Sequence, residues 1–144
     1  MFLGTHHPRL DEKGRLFLPA KFRDKLAGGL VMTRGQERCI YIFTTDKFVD
    51  FTAGLQSSPI TNAEARSFQR VMLSGATDDI PDKQGRVTVP ALLRQYAGLD
   101  RDCTVIGVGD RVELWDTQRW EQFVAGAEED FAARSEEVIP GGLF

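Results

Sequence analysis

DEKGRLFLPAKFR, from Asp11 to Arg23, returns 71 residues later as DKQGRVTVPALLR, from Asp82 to Arg94. Aligned without a gap, the two stretches share Asp, Gly, Arg, Pro, Ala and Arg at the same places. These are turn formers and charges, not the apolar residues that unrelated globular segments share by chance. A chain that repeats itself this way is built from two copies of one unit, and an internal repeat constrains the fold more than any local pattern.

The repetition continues past the motif. PAKFRDKLAGG (Pro19 to Gly29) and PALLRQYAGL (Pro90 to Leu99) read as short helices, with proline in the first turn and Gly28 or Gly98 at the exit. LVMTRG and RCIYIF follow in the first copy, CTVIGVG and RVELWD in the second, and all four read as strands. Each copy closes on a helical start in which Lys47 matches Arg119, Phe48 matches Trp120 and Phe51 matches Phe123. The predicted order in each copy is strand, tight turn, strand, short helix, strand, strand, helix. The copies span residues 5–51 and 76–123, with a connecting helical segment over 52–75 and an acidic helix and tail over 124–144. Within the connection, Asn62 caps a helix running to Leu73, with Phe68, Met72 and Leu73 expected toward the core. The final helix is expected from Thr117 to about Glu137, ending in a frayed PGGLF. Units this small do not bury enough surface to stand alone, so the copies are expected to pack together as one pseudo-symmetric α+β body, mainly β.

The D-x-x-G-R core has a specific physical reading. Gly14 and Gly85 supply the positive φ that closes a hairpin loop, which sets Asp11 opposite Arg15 and Asp82 opposite Arg86. A carboxylate facing a guanidinium there forms a two-point pair and fixes the direction of the arginine. An exposed pair of this kind adds only about 0 to 1 kcal/mol of stability, a weak reason to write it twice. An arginine held on a rigid hairpin suits the reading of phosphates or a guanine edge. Lys13 and Lys83 add charge at the loop tips.

Net charge is -3, which alone argues against a nucleic-acid binder, but the charge is segregated. From Arg9 to Lys25 six basic residues (Arg9, Lys13, Arg15, Lys21, Arg23, Lys25) meet three acidic ones, whereas Asp110 to Glu137 holds nine acidic residues against three basic. Basic surface thus gathers at the motif. Lys21 and Arg23 have only Arg94 as a counterpart in the second copy, so the first copy is expected to be the more basic reader and Arg15 to matter more than Arg86.

Other chemistries find little support. The 144-residue chain has no apolar run of membrane-spanning length, and its N-terminus lacks the pattern of a secretion signal, so an intracellular protein is expected. Cys39 and Cys103 stand alone in strand-like runs without metal-ligand spacing and are expected to be buried thiols. His6 and His7 are adjacent, which points them to opposite faces of a strand and makes them poor metal ligands. No nucleophile-elbow, P-loop or dinucleotide fingerprint appears, and the carboxylates near Asp78, Asp79 and Asp82 read as a solvated turn. No enzyme activity, metal or cofactor is expected.

At the doubled motif, at the opening MFLGTHHPRLDEKGR and through WDTQRWEQF, the chain resembles the MraZ family of bacterial transcriptional regulators, built from two SpoVT-AbrB-type domains. The resemblance implies an AbrB-like swapped-hairpin barrel with peripheral helices, made as a pseudo-dimer within one chain. It also implies ring-shaped homo-oligomers binding repeated double-stranded DNA elements upstream of the cell division and cell wall operon, repressing it and the regulator's own gene. Such a protein is cytoplasmic and nucleoid-associated. The DNA-contacting set carried over or read from charge is Arg15, Arg86, Lys13, Lys83, Arg9, Lys21, Arg23 and Arg94, with Asp11 and Asp82 orienting the arginines. The alternative is an AbrB-like interaction or antitoxin-type module without dedicated operator binding, for which Trp115, Trp120 and Phe123 beside the acidic helix would offer a partner surface.

Overall fold

Both D-x-x-G-R stretches close the loop that their glycines allow. Gly14 and Gly85 sit at φ +77 and +79, where a residue with a Cβ is strained. The Asp11 amide donates to the Arg15 carbonyl at 2.8 Å and the Asp82 amide to that of Arg86 at 3.0 Å, so each aspartate stands opposite its arginine.

The computed structural model describes residues 1–134. The first half contains β1 (Thr5–His6), β2 (Arg15–Phe17), α1 (Ala20–Leu26), β3 (Leu30–Arg34), β4 (Ile40–Thr44) and α2 (Thr45–Gln56). The helix α3 (Ala63–Ser74) leads to β5 (Thr77–Asp79), β6 (Arg86–Thr88), α4 (Ala91–Ala97), β7 (Cys103–Gly107), β8 (Val112–Asp116) and α5 (Thr117–Ala133). The order in each half is the one that the repeat predicts. The end of the expected acidic helix and the PGGLF tail lie outside the described residues.

Pairing crosses between the halves at nearly every level. One antiparallel sheet has the order β1-β7-β8-β4-β3-β5, and β2 and β6 form a separate two-stranded ladder. Only β3 with β4 and β7 with β8 pair inside a half; β1 pairs with β7, β5 with β3, β4 with β8 and β2 with β6. Neither half completes its sheet alone, which is how two units too small to fold separately become one body. The sheet is open, since β1 and β5 are its two edges. The expected barrel is therefore not closed by hydrogen bonds. The reason is local: β2 and β6 are three residues long, each is bounded by a turn and, two residues on, by Pro19 or Pro90, and the only strand that each pairs with as a ladder is the other.

The core lies between the ladder, the short helices and the sheet. Leu16, Leu18, Val87 and Val89 come from around the ladder, Phe22, Leu26, Leu93 and Ala97 from α1 and α4, and Met32, Ile40, Ile42, Val105, Val112 and Leu114 from the sheet. Burying each of the larger of these side chains, the Val, Leu, Ile, Met and Phe, stabilises the fold by about 1.5 to 3 kcal/mol. Outside this core the halves repeat an aromatic cluster, Phe43, Phe48 and Phe51 against Trp115, Trp120 and Phe123. Trp115 is buried, while Phe123 is 41% exposed.

Two local expectations change. Asn62 does cap α3, accepting from the Ala65 amide at 3.0 Å, and Met72 is buried, but Phe68 is 39% exposed because α3 rests on the β3 side of the sheet through its last turn. After α1 the positive φ falls on Gly29, not Gly28, whereas α4 ends on left-handed Gly98 as expected. Cys39 and Cys103 are buried free thiols. Burial, followed by the carboxylates of Asp116 and Asp102, pushes the Cys103 thiol up to about 12.

Candidate nucleic-acid interface

Each aspartate does three jobs with two oxygens. Asp11 Oδ1 accepts from the Lys13 and Arg15 amides at 2.9 and 2.8 Å, and Oδ2 accepts from Arg15 Nε at 2.8 Å. Asp82 repeats this with the Gln84 and Arg86 amides, both at 2.9 Å, and Arg86 Nε at 2.8 Å. The backbone amide of the arginine, then its side chain, holds each carboxyl below its ordinary value despite opposing desolvation. The pair is thus one-point on the side chain, not the two-point fork expected, because backbone amides already occupy the other oxygen. The consequence favours recognition. Among the described residues no acceptor meets Nη1 or Nη2 of either arginine, so both guanidinium ends keep their donors.

The ladder sets these two arginines on one face, two rungs apart. Arg15 faces Thr88, Leu16 faces Val87 and Phe17 faces Arg86. Leu16 and Val87 enter the core, so strand alternation turns Arg15, Phe17, Arg86 and Thr88 to the other face. Phe17 is 50% exposed, and the Arg86 guanidinium lies 5.9 Å from its ring centre. The motif-based expectation does not include Phe17 and Thr88. The signal was present in Arg-Leu-Phe-Leu-Pro, where Phe17 alternates with two leucines on the side of Arg15.

Each turn is also fastened by the opposite half. The Leu18 amide donates to the Gly85 carbonyl at 2.9 Å and the Val89 amide to Gly14 at 2.8 Å. Arg23 Nε donates to the Leu18 carbonyl at 2.8 Å and Arg94 Nε to that of Val89 at 3.0 Å. Their side chains cross over the turn glycines, so that a Cβ on Gly85 would lie 2.7 Å from Arg23 Nε and one on Gly14 3.0 Å from Arg94 Cζ. Arg23 and Arg94 are therefore posts between the halves. Arg23 belongs spatially to the second turn and Arg94 to the first.

The remaining predicted residues surround this unit. Lys13 and Lys83 are exposed on the two loops, in non-equivalent positions, since Gln84 occupies the place of Lys13. Lys21 is exposed at the start of α1. Arg9 is exposed and pairs with Asp102 at 3.2 Å. His7 Nδ1 lies 3.4 Å from Thr104 Oγ1, while His6 packs edge-on against Phe22. Among the described residues no group of His, Cys, Asp and Glu is placed to hold a metal, and no helix is long and apolar enough to cross a membrane.

A family model described as "MraZ protein, putative antitoxin-like" matches the chain twice, over residues 1–71 and 72–140. The chain belongs to the MraZ family. The two matches begin at Met1 and Met72, and each contains one D-x-x-G-R turn. The chain is similar to proteins named transcriptional regulator MraZ. It is 62% identical over 143 residues to that of Kineococcus radiotolerans, covering 99% of this chain and all of the relative. It is 60% identical over 141 residues to that of Micrococcus luteus, covering 98% and 99%, and 57% identical over 143 residues to that of Thermobifida fusca, covering 99% and all.

Proposed function

We propose that this protein is a DNA-binding transcriptional regulator that lays the β2–β6 ladder into the major groove. The carrying observation is the ladder itself: two aspartate-braced arginines on its outward face, with their Nη donors unspent. A two-stranded ribbon fits the major groove, where arginine pairs with guanine O6 and N7. Arg15 and Arg86 stand on rungs two residues apart, about 7 Å along the strands. Two base-pair steps of about 3.4 Å span the same distance. The names of the relatives support a regulator of transcription.

In this reading Lys13 and Lys83 meet phosphates beside each arginine, Lys21 and Arg9 extend the positive margin, and Arg23 and Arg94 hold the turns while adding charge. The reciprocal pairing of β1 with β7 and of β5 with β3 supports treating residues 5–51 and 76–123 as a swapped-hairpin pseudo-dimer. The -3 chain gains affinity by assembling into a ring that presents many ladders at once, so that weak contacts act together. The target is repeated promoter elements before the cell division and cell wall cluster, including the protein's own promoter, and the protein resides with the nucleoid. Capture of the protein from cross-linked cells, with sequencing of the bound DNA, tests this. Enrichment of a few promoters sharing a repeated element is expected. A profile matching the untagged control, with a co-purifying protein instead, would favour the interaction-module alternative.

A further inference from the structure

The outward face of the ladder is symmetric in its arginines and asymmetric in everything else. At the two equivalent positions stand Phe17 and Thr88. Half of the Phe17 surface is in water, although its strand neighbours Leu16 and Leu18 are fully buried. Its cross-strand partner is Arg86, whose guanidinium lies 5.9 Å from the ring centre and whose Nε is fixed by Asp82. An aromatic ring exposed beside a braced, donor-rich arginine is poorly placed for solubility. It is well placed to meet an apolar group lying next to a hydrogen-bond acceptor.

The major groove offers one such combination. The thymine C5 methyl is the apolar feature of the base edges, and guanine O6 and N7 are the acceptors that a guanidinium engages. We infer that Phe17 and Arg86 form one composite reader, with Phe17 packing on a thymine methyl and Arg86 on an adjacent guanine. Arg15 with Thr88 forms the other reader, in which the small hydroxyl side chain leaves the neighbouring base less restricted, since threonine contacts several base edges. The inference rests on the DNA-binding reading and assigns its specificity. Its consequence is polarity: each chain reads an asymmetric element in one orientation, despite the near-twofold symmetry of its two halves.

The test is selection from a random double-stranded DNA pool, carried out in parallel with the wild-type protein and Phe17→Thr, which makes the two positions alike. Thermal melting and light scattering confirm that the variant keeps its fold and assembly. Wild type is expected to enrich a sequence with a fixed thymine beside a guanine, and Phe17→Thr to keep the guanine and lose the thymine. Replacing that thymine by deoxyuridine removes one methyl. It should weaken wild-type binding about fourfold, the value of one buried methyl group, and Phe17→Thr by less, since the smaller threonine methyl covers less of the thymine methyl. Thr88→Phe should gain a second fixed thymine. Identical selected sequences for wild type and Phe17→Thr, or equal sensitivity to deoxyuridine, would overturn the assignment while leaving DNA binding in place. No enrichment by the wild type would remove the DNA-binding reading and this inference with it.

Discussion

At the first turn Asp11 braces an arginine whose chain runs on to Phe17 in β2 and Lys21 in α1; at the second, Asp82 braces one whose chain runs on to Thr88 in β6 and Leu92 in α4. The braces match to within about 0.1 Å in every bond. The surroundings do not match, and crossing of the strands exchanges them. Because Leu18 bonds to Gly85 and Arg23 lies over it, the Arg23 charge of α1 sits at the second turn. The less basic start of α4 sits beside the first turn, where Arg94 lies over Gly14. Adding charge along the sequence places Arg23 with Arg15, whereas folding delivers it to the second turn, that of Arg86. Local geometry is thus written within each motif, but electrostatic context is written by the other half.

The largest effect separating the two sides should come from the shared rung of the core. Leu16→Ala is expected to cost about 2 to 5 kcal/mol and Val87→Ala about 1 kcal/mol less, since one fewer methylene is lost. Urea unfolding of both variants checks this; equal costs would mean that the rung is not packed equally from both strands. Next come the turn glycines. Gly85→Ala and Gly14→Ala each force a left-handed residue, worth about 1 to 3 kcal/mol. Gly85→Ala should be the worse, because its Cβ meets Arg23 Nε at 2.7 Å while that of Gly14 comes no nearer to Arg94 than 3.0 Å. Thermal melting ranks them.

A smaller difference is expected in binding. Arg15→Ala and Arg86→Ala should each weaken binding to promoter DNA by about 1 to 3 kcal/mol. The loss at Arg86 should be the larger, since the Phe17 ring lies beside it and Arg23 lies over its turn. Mobility shifts at matched salt decide the order, and a larger loss at Arg15 would restore the order expected from sequence. The smallest contrast concerns pH, where the turns should behave alike. Both carboxyls are held below the ordinary 3.8, so each brace is fully present above that value and lost only as pH falls through the lower folded one. Carboxyl carbon NMR titration of Asp11 and Asp82 should give two midpoints below 3.8, and a midpoint above it at either turn would show that brace to be loose.

The element order, the hairpin turns and the facing of Asp11 with Arg15 are legible because each depends on residues a few positions apart, and the repeat is legible because it shows as direct identity between two stretches. What escaped depends on long-range pairing. The β2–β6 ladder joins three-residue strands 71 residues apart, and such short strands carry no periodicity from which to choose a partner. With the ladder unseen, the outward pair of Phe17 and Thr88 was unseen too. Arg23 and Arg94 looked like surface charge because their residue type and helical position say so. Their Nε atoms instead satisfy the carbonyls of Leu18 and Val89, acceptors that only the packed halves bring within reach. Phe68 looked like core from helical spacing, but spacing does not tell how far a neighbouring sheet extends.

The central claim is that the two braced arginines on one ladder carry DNA binding. The most direct test is the double variant Arg15→Ala and Arg86→Ala, assayed by mobility shift on its own promoter DNA at several salt concentrations, with light scattering to follow assembly. The predicted result is a weakening greater than that of either single variant, with the oligomer unchanged. Wild-type affinity in the double variant would contradict it.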